Sequence, residues 1–348
     1  MKRRTFIGST AAAMALPLLP QKIFAFPQNN KILKPQALQQ GDTVGIIAPG
    51  TAVSDPDMIA KAKEALNYFG LNVKFGNHML KGSGYLSRTS DERVEDLHQA
   101  FLDKEIKAVF CMRGGYASMH LLDKIDYEII SKNPKIFLGY SDITALHLAI
   151  NKMTGLVTFH GPVMISGFSK YTEEYFKKAL FSNSGIGVIS NPKTQNNFRQ
   201  NHPIRTINPG TAKGKLIGGN LTLVASTLGT PYEIETKGKL LFLEDVGEEP
   251  YRIDRMLTHL HLANKLETAA GIIFGECSDC NYDDLKPSRV SDYSLGEVLD
   301  NILGKLNIPV FYGLTIGHTD DQATLPIGVE AEMDGEKGTL NILESGVI

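Results

Sequence analysis

From about residue 41 onward the chain alternates short apolar runs with longer segments whose apolar residues recur every three or four positions. A short run closed by Gly, Pro or Asp suits a strand buried on both faces. The longer period suits a helix with one apolar stripe. Thr43–Ala48, Leu71–Phe75, Ile106–Met112, Ile136–Leu138 and Thr158–Phe159 read as strands. Between them, Asp55-Pro56 opens a helix with Met58, Ala60, Ala62, Leu66 and Phe69 along its stripe. Arg88–Arg93 opens a second, continued by Val94, Leu97, Ala100 and Phe101, and Ile143–Met153 reads as a third. Strands alternating with helices predict a mainly parallel sheet covered on both faces. In such sheets function collects at the C-terminal ends of the strands.

The pattern changes after residue 170. Tyr171–Ser182 reads as a helix, and Asn183–Pro209, rich in Asn, Gln, Ser and Pro, as an interdomain connection. Beyond it come strands at Lys213–Gly219, Lys239–Leu243, Ala269–Phe274 and Ile308–Tyr312. Helices are expected at Leu221–Leu228, Arg252–Leu262 and Ser291–Leu303. Leu325–Met333 and Thr339–Leu343, separated by Asp334-Gly335, suggest a closing β-hairpin. This half reads as a smaller, β-rich α+β unit.

A length of 348 residues with 42% apolar and 21% charged residues fits two packed domains. A net charge of −2 gives no basic field for nucleic acid. The first thirty residues stand apart. Arg3-Arg4-Thr5-Phe6-Ile7 resembles a twin-arginine export signal, followed by an apolar stretch from Ala11 to Leu19 that is too short to span a bilayer. The expected division is residues 1–30 as export signal, 31–170 as a first domain, 171–209 as connection and 210–348 as a second. The expected address is outside the cytoplasm, in the periplasm, with no membrane attachment once the signal is removed. Cys277-Ser278-Asp279-Cys280 lacks the second ligand pair of a zinc site. It suits a local disulfide or two free thiols.

Candidate chemistry gathers where strands end. Ser141, in Gly139-Tyr140-Ser141-Asp142-Ile143, lies at a strand-to-helix corner. Such a corner exposes a hydroxyl beside free backbone N–H groups, which is what a nucleophilic serine requires. It equally suits a helix cap by Ser141 or Asp142. Met112-Arg113-Gly114-Gly115-Tyr116 ends the preceding strand, and its glycines let the backbone approach a ligand. His160 ends the next. Glu244 and His318 each follow a buried strand in the second half, and with Ser141 they have the residue types of a Ser–His–carboxylate triad. Asp245 and Glu248 are rival acids at this stage. Gly139–Ile143 lacks the final glycine of the α/β-hydrolase elbow.

Met112–Tyr116, Gly139–Thr144, Phe242–Asp245 and Gly317-His318 with Leu325-Pro326-Ile327-Gly328 occur in this order. Together they resemble the LD-carboxypeptidase family of serine peptidases, over about Leu33 to Leu343. The resemblance implies a Rossmann-like N-terminal domain carrying the nucleophile Ser141 and a C-terminal domain carrying Glu244 and His318. It implies an oxyanion hole from the backbone N–H groups of Asp142 and of the Gly114 corner, where either Gly114 or Gly115 could be the donor, and no cofactor or metal. The implied reaction removes a C-terminal D-alanine from murein tetrapeptides through an acyl-enzyme. Arg113, Gly115 and His160 are candidate substrate contacts. Other readings are a same-fold peptidase for a peptide–nucleotide conjugate, or a periplasmic peptide-binding protein without turnover. The resemblance also suggests a homodimer, which no stretch of the chain specifies.

Overall fold

The computed structural model describes residues 31–79, 88–193, 200–281 and 293–348. The expected export signal and the first residues of the expected Ser291–Leu303 helix lie outside them. The first sheet receives strands β1 (Thr43–Ile47), β2 (Asn72–Phe75), β3 (Ile106–Cys111), β4 (Ile136–Gly139) and β5 (Thr158–His160). The second receives β6 (Gly187–Ile189), β7 (Arg205–Asn208), β8 (Thr211–Asn220), β9 (Leu240–Glu244), β10 (Gly271–Gly275) and β11 (Val310–Leu314). Three strands close the chain: β12 (Leu325–Ile327), β13 (Glu330–Asp334) and β14 (Thr339–Ile342). The helices are α1 (Pro56–Tyr68), α2 (Ser90–Leu102), α3 (Tyr127–Lys132), α4 (Thr144–Thr154), α5 (Lys170–Leu180), α6 (Leu221–Ser226), α7 (Pro250–Leu262) and α8 (Leu295–Ile302).

The first sheet runs β12-β5-β4-β3-β1-β2. All of its pairings are parallel except that of β12 with β5. The helices begin where the sequence punctuates them. Pro56 stands in the first turn of α1, and the Asp55 side chain accepts from Asp57 N. Thr89 and Glu92 form a reciprocal capping box on α2. Ser294 and Glu297 do the same for α8.

The second sheet runs β6-β14-β13-β8-β9-β10-β11-β7. Its heart, β8-β9-β10-β11, is parallel, and antiparallel strands flank it on both sides. Apolar runs such as Leu240–Leu243 and Ile272–Phe274 are fully buried, as strands covered on both faces must be.

Three expectations need correction. Leu325–Met333 is not one arm of a hairpin. Gly328, at φ +99°, breaks it, so β12 pairs with β5 in the first sheet while β13 pairs with β14 in the second. Pro326 has no N–H to donate and sits on an edge strand, where that is tolerated. The stretch 183–209 is more than a connection, because β6 and β7 within it form the two edges of the second sheet. That sheet has more strands than the first, as a β-rich unit should. The preceding helix α5 belongs with the first sheet: Phe176 lies 5.9 Å from the ring of Phe110 on β3 and 4.7 Å from that of Phe69.

The two units meet where β8 ends. Asn220 N donates to Thr144 Oγ1 at 2.9 Å. A Cβ on Gly219 would lie 2.5 Å from the same oxygen, so only glycine lets β8 reach the start of α4. The end of β8 is therefore docked three residues from Ser141.

Candidate active site

Adjacent strands β3 and β4 bring two glycine-rich ends together. Phe110 pairs with Leu138 in parallel register, so the Arg113–Tyr116 loop lies beside the Tyr140–Ile143 corner. A Cβ built on Gly114 would fall 3.0 Å from Ser141 Cβ and 3.3 Å from Asp142 N. Ser141 itself has φ +65°, a left-handed conformation that a side chain rarely adopts. That backbone turns its side chain out of the sheet edge, and its hydroxyl makes no hydrogen bond to a described residue. The backbone N–H groups of Gly114 and Asp142 likewise donate to none.

What holds this corner is a latch behind it. Ser118 N donates to Asp142 Oδ2 at 2.9 Å, and Ser118 Oγ donates to the Asp142 carbonyl. Burial pushes the Asp142 carboxyl up, while the Ser118 hydrogen bonds and the nearby Arg93 guanidinium pull against that rise. Arg93 Nη1 donates to the carbonyls of Pro49 and Ala117 at 2.6 and 3.0 Å, tying the loop after β1 to the loop after β3. Thr51 N donates to Gly114 O, and Tyr116 N donates to Thr51 Oγ1, each at 3.0 Å. Gly115 has φ +93°, and a Cβ there would fall 2.3 Å from Thr51 Oγ1, so the second glycine of the pair is sterically required and the first is tightly enclosed. Neither Ser141 nor Asp142 caps α4 through its side chain. The cap reading of this corner is not what the structure has.

The second constituent is a hydrogen-bonded pair of an imidazole and a buried carboxyl. His318 Nδ1 and Glu244 Oε2 are 2.7 Å apart, and Glu244 is 0% exposed. Burial alone would raise the Glu244 carboxyl, but the His318 imidazolium and its hydrogen bond outweigh this and hold it below its ordinary range. Burial opposes charge on His318 as well. The charge and hydrogen bond of Glu244, and the charge of Asp245, nevertheless hold its imidazole above its ordinary value. Gly317 makes the approach feasible, since a Cβ there would fall 2.3 Å from Glu244 Oε2. The His318 ring rests on Tyr140, with centroids 4.7 Å apart. His318 therefore packs against the residue that precedes Ser141, although Ser141 and His318 are not hydrogen bonded. A cleft of about 480 Å³ opens here, lined by Tyr140, Ser166, Ser169, His318, Thr319 and Gln322 among others.

Comparison with known proteins identifies the family and the fold. A model of the LD-carboxypeptidase N-terminal domain matches residues 44–161, and one of the LD-carboxypeptidase C-terminal domain matches 213–333. The chain belongs to the LD-carboxypeptidase family. It is 42% identical over 315 residues to a probable murein peptide carboxypeptidase of Bacillus subtilis, covering 90% of this chain and 95% of that one. Its fold matches that of the microcin C7 self-immunity protein MccF in complex with glutamyl sulfamoyl guanosine. There the TM-score is 0.80 at 28% identity, over 91% of this chain and 100% of the other. The muramoyltetrapeptide carboxypeptidase of Oxalobacter formigenes matches with a TM-score of 0.72 at 30% identity, over 87% and 99%. The family is one of serine peptidases, hence hydrolases, and the two-domain α/β fold is the one the sequence resemblance implied.

Within this LD-carboxypeptidase fold the rival acids separate. Asp245 accepts from Asn220 Nδ2, Thr222 N and Thr222 Oγ1 and does not reach His318; burial and the charge of Glu244 push its carboxyl up to about 6. Glu248 faces Arg252. His160 is corrected. It is fully buried, its Nε2 lies 2.7 Å from Ile316 O, and its ring packs edge-on against Phe242. It props the loop that carries His318 and is enclosed away from substrate. Arg113 stands half-buried at the end of β3, with no ion-pair partner among the described residues. No group of three or more His, Cys, Asp or Glu suited to a metal occurs among the described residues. Sequence reasoning missed Ser118, Arg93 and Gly317. Of these only Gly317 carried a signal, as the glycine directly before a candidate base.

Proposed function

We propose that this chain is a serine LD-carboxypeptidase that removes the C-terminal D-alanine of murein tetrapeptides. The observation that carries the reading is the juxtaposition of Ser141, in left-handed backbone beside the free N–H groups of Gly114 and Asp142, with the His318–Glu244 pair packed on Tyr140. The name of the Bacillus subtilis relative supports the substrate class.

In this mechanism Ser141 Oγ attacks the amide carbonyl before D-alanine, and neutral His318 Nε2 takes the hydroxyl proton. Glu244 holds the imidazole by Nδ1 and stabilises it once charged. The oxyanion accepts from Gly114 N and Asp142 N, donors fixed before the charge appears. His318 then gives its proton to the leaving amine, and D-alanine departs. Water, deprotonated by the same imidazole, cleaves the Ser141 ester. Arg113 suits the free carboxylate that an exopeptidase must recognise.

The test is release of D-alanine from a free or disaccharide-linked tetrapeptide. Ser141→Ala should lower turnover by at least about 10⁴-fold while the fold stays intact. Turnover by that variant at the parental rate would remove the serine mechanism. The fold agreement with MccF favours a peptide–nucleotide conjugate as the second substrate class. Higher kcat/KM on such a conjugate than on the tetrapeptide would select it. Binding of peptide without turnover of either would leave a binding protein. The Arg3-Arg4 leader supports export to the periplasm, checked by fractionating cells that carry Arg3→Lys with Arg4→Lys.

A further inference from the structure

Beyond β10 the chain runs Gly275-Glu276-Cys277-Ser278-Asp279-Cys280 and passes behind the loop that carries His318. Cys277 and Cys280 are joined by a disulfide, and both are buried. A crosslink between residues three apart closes so short a loop that it removes little freedom from the unfolded chain. Its consequence is local: it fixes the shape of the turn, in which Asp279 is left-handed at φ +54°.

The residue this turn presents is Ser278. Its carbonyl accepts from Gly247 N at 2.9 Å, in a bridge that pairs it with Val246, two residues beyond Glu244. Cys280 Sγ lies 3.3 Å from the same carbonyl. Its hydroxyl donates to the carbonyl of His318 itself. Ser278 thus joins the chain leaving the acid to the backbone of the base, by a route separate from the Glu244–His318 contact. His318 needs such a tether because Gly317, which must be glycine to admit Glu244, leaves the backbone free to rotate just before it.

We propose that Ser278, held by the Cys277–Cys280 disulfide, is a positioning residue for His318. It sets the imidazole against Glu244 on one side and Ser141 on the other without touching substrate. The proposal rests on the serine-peptidase reading above. It also makes turnover depend on the crosslink. A dithiol reductant would pass two electrons and two protons to the S–S bond, leaving Cys277 and Cys280 as thiols and itself becoming a cyclic disulfide. The turn would then loosen, and Ser278 with it.

The experiment follows covalent labelling of Ser141 by a serine-reactive phosphonate, together with kcat and KM on the tetrapeptide across pH. Parent protein, His318→Ala, Ser278→Ala, Ser278→Thr and a Cys277→Ala/Cys280→Ala double variant are compared. Ser278→Ala should label about tenfold or more slowly and lose kcat with KM unchanged. The acid limb of its pH profile should move down toward that of free imidazole, because His318 is less firmly paired. Ser278→Thr keeps the hydroxyl and should recover most of the rate. The double variant, or parent protein treated with dithiol, should move in the same direction as Ser278→Ala. Should the double variant fail to fold, Ser278→Ala, with its melting temperature checked, still decides. Parental labelling and an unshifted acid limb in Ser278→Ala would overturn the proposal. If the parent does not label, or His318→Ala labels like the parent, the serine-peptidase reading fails instead.

Discussion

Ser141 and His318 each lie just beyond a buried strand, yet they are held in different ways. Ser141 is held mainly by backbone close to it in sequence: a left-handed turn, a glycine pair one strand away and the Ser118–Asp142 latch, all within residues 114–142, with Arg93 and Thr51 bracing the glycine loop from outside. His318 is held by residues far from it in sequence, namely Glu244 on β9, Ser278 after β10, and Tyr140 from the other unit. A nucleophile needs one fixed direction and a pair of fixed donors, which rigid backbone supplies. A base must be paired, tuned and brought to the nucleophile, which only side chains from several elements can do. The two regions should therefore respond differently to the same kind of change.

Loss of the acid should show the largest effect. Glu244→Gln keeps the shape but offers Nδ1 the wrong partner, so His318 loses both its tautomer and its stabilising charge. We expect kcat to fall by about 10³- to 10⁴-fold with little change in KM, measured on the tetrapeptide. A fall of less than tenfold would mean that His318, like Ser141, is placed by its local chain. Gly317→Ala should come next. Its Cβ would fall 2.3 Å from Glu244 Oε2 and 2.8 Å from Glu244 Cβ, so carboxylate and base must separate. The expected loss in kcat is about 10²-fold, with a lower melting temperature from the forced repacking. Unchanged kinetics in this variant would show that the pair tolerates a wider spacing.

This division also decided what was legible in the sequence. The Ser141 corner could be read because its parts are local: an apolar strand, a glycine, a short polar stretch and an apolar helix, with a glycine pair ending the neighbouring strand. The parallel first sheet was legible for the same reason, through alternating periods of two kinds. The choice of Glu244 over Asp245 was not, because adjacent residues of a strand point to opposite sides and the sequence does not say which side holds the base. Arg93 was hidden in a helix start, since no local pattern separates a helix-capping arginine from one whose guanidinium crosses to Pro49 and Ala117. The return of β12 to the first sheet was equally hidden. An apolar run interrupted by one glycine reads as a single strand until its two pairing partners are known.

Changing pH should produce a smaller, graded effect, and only through the C-terminal pair. His318 is held above its ordinary value, so the neutral imidazole that takes a proton is formed later in a rising titration. kcat/KM should decline about tenfold per pH unit on the acid side, with its midpoint above the ordinary imidazole value of about 6.5. The stability that His318 contributes follows the opposite course. His318 contributes fully below its unfolded value and loses that contribution as pH rises through its raised folded value. Glu244, held low, contributes above its unfolded value and loses that as pH falls through its lowered one. Fold and catalysis thus favour opposite protonation states of one imidazole. An acid limb at or below the ordinary imidazole value would contradict the pairing, and Glu244→Gln should shift it there.

The smallest effect is the one that tests the nucleophile side alone. A serine at φ +65° carries a left-handed penalty of about 1 kcal/mol or more, which glycine does not, while glycine loses more backbone freedom on folding. The balance predicts that Ser141→Gly gains about 0.5 kcal/mol of stability and melts a degree or two higher, as it loses all turnover. His318→Gly should do the reverse. It removes the ring packed on Tyr140 and strands Glu244 as an unpaired buried charge, so it should lower stability by about 3 kcal/mol. Opposite signs for one chemical change at Ser141 and at His318 are what backbone strain on one side and side-chain pairing on the other require. Destabilisation by Ser141→Gly would mean that the serine side chain, and not the latch behind it, holds the corner in its left-handed turn.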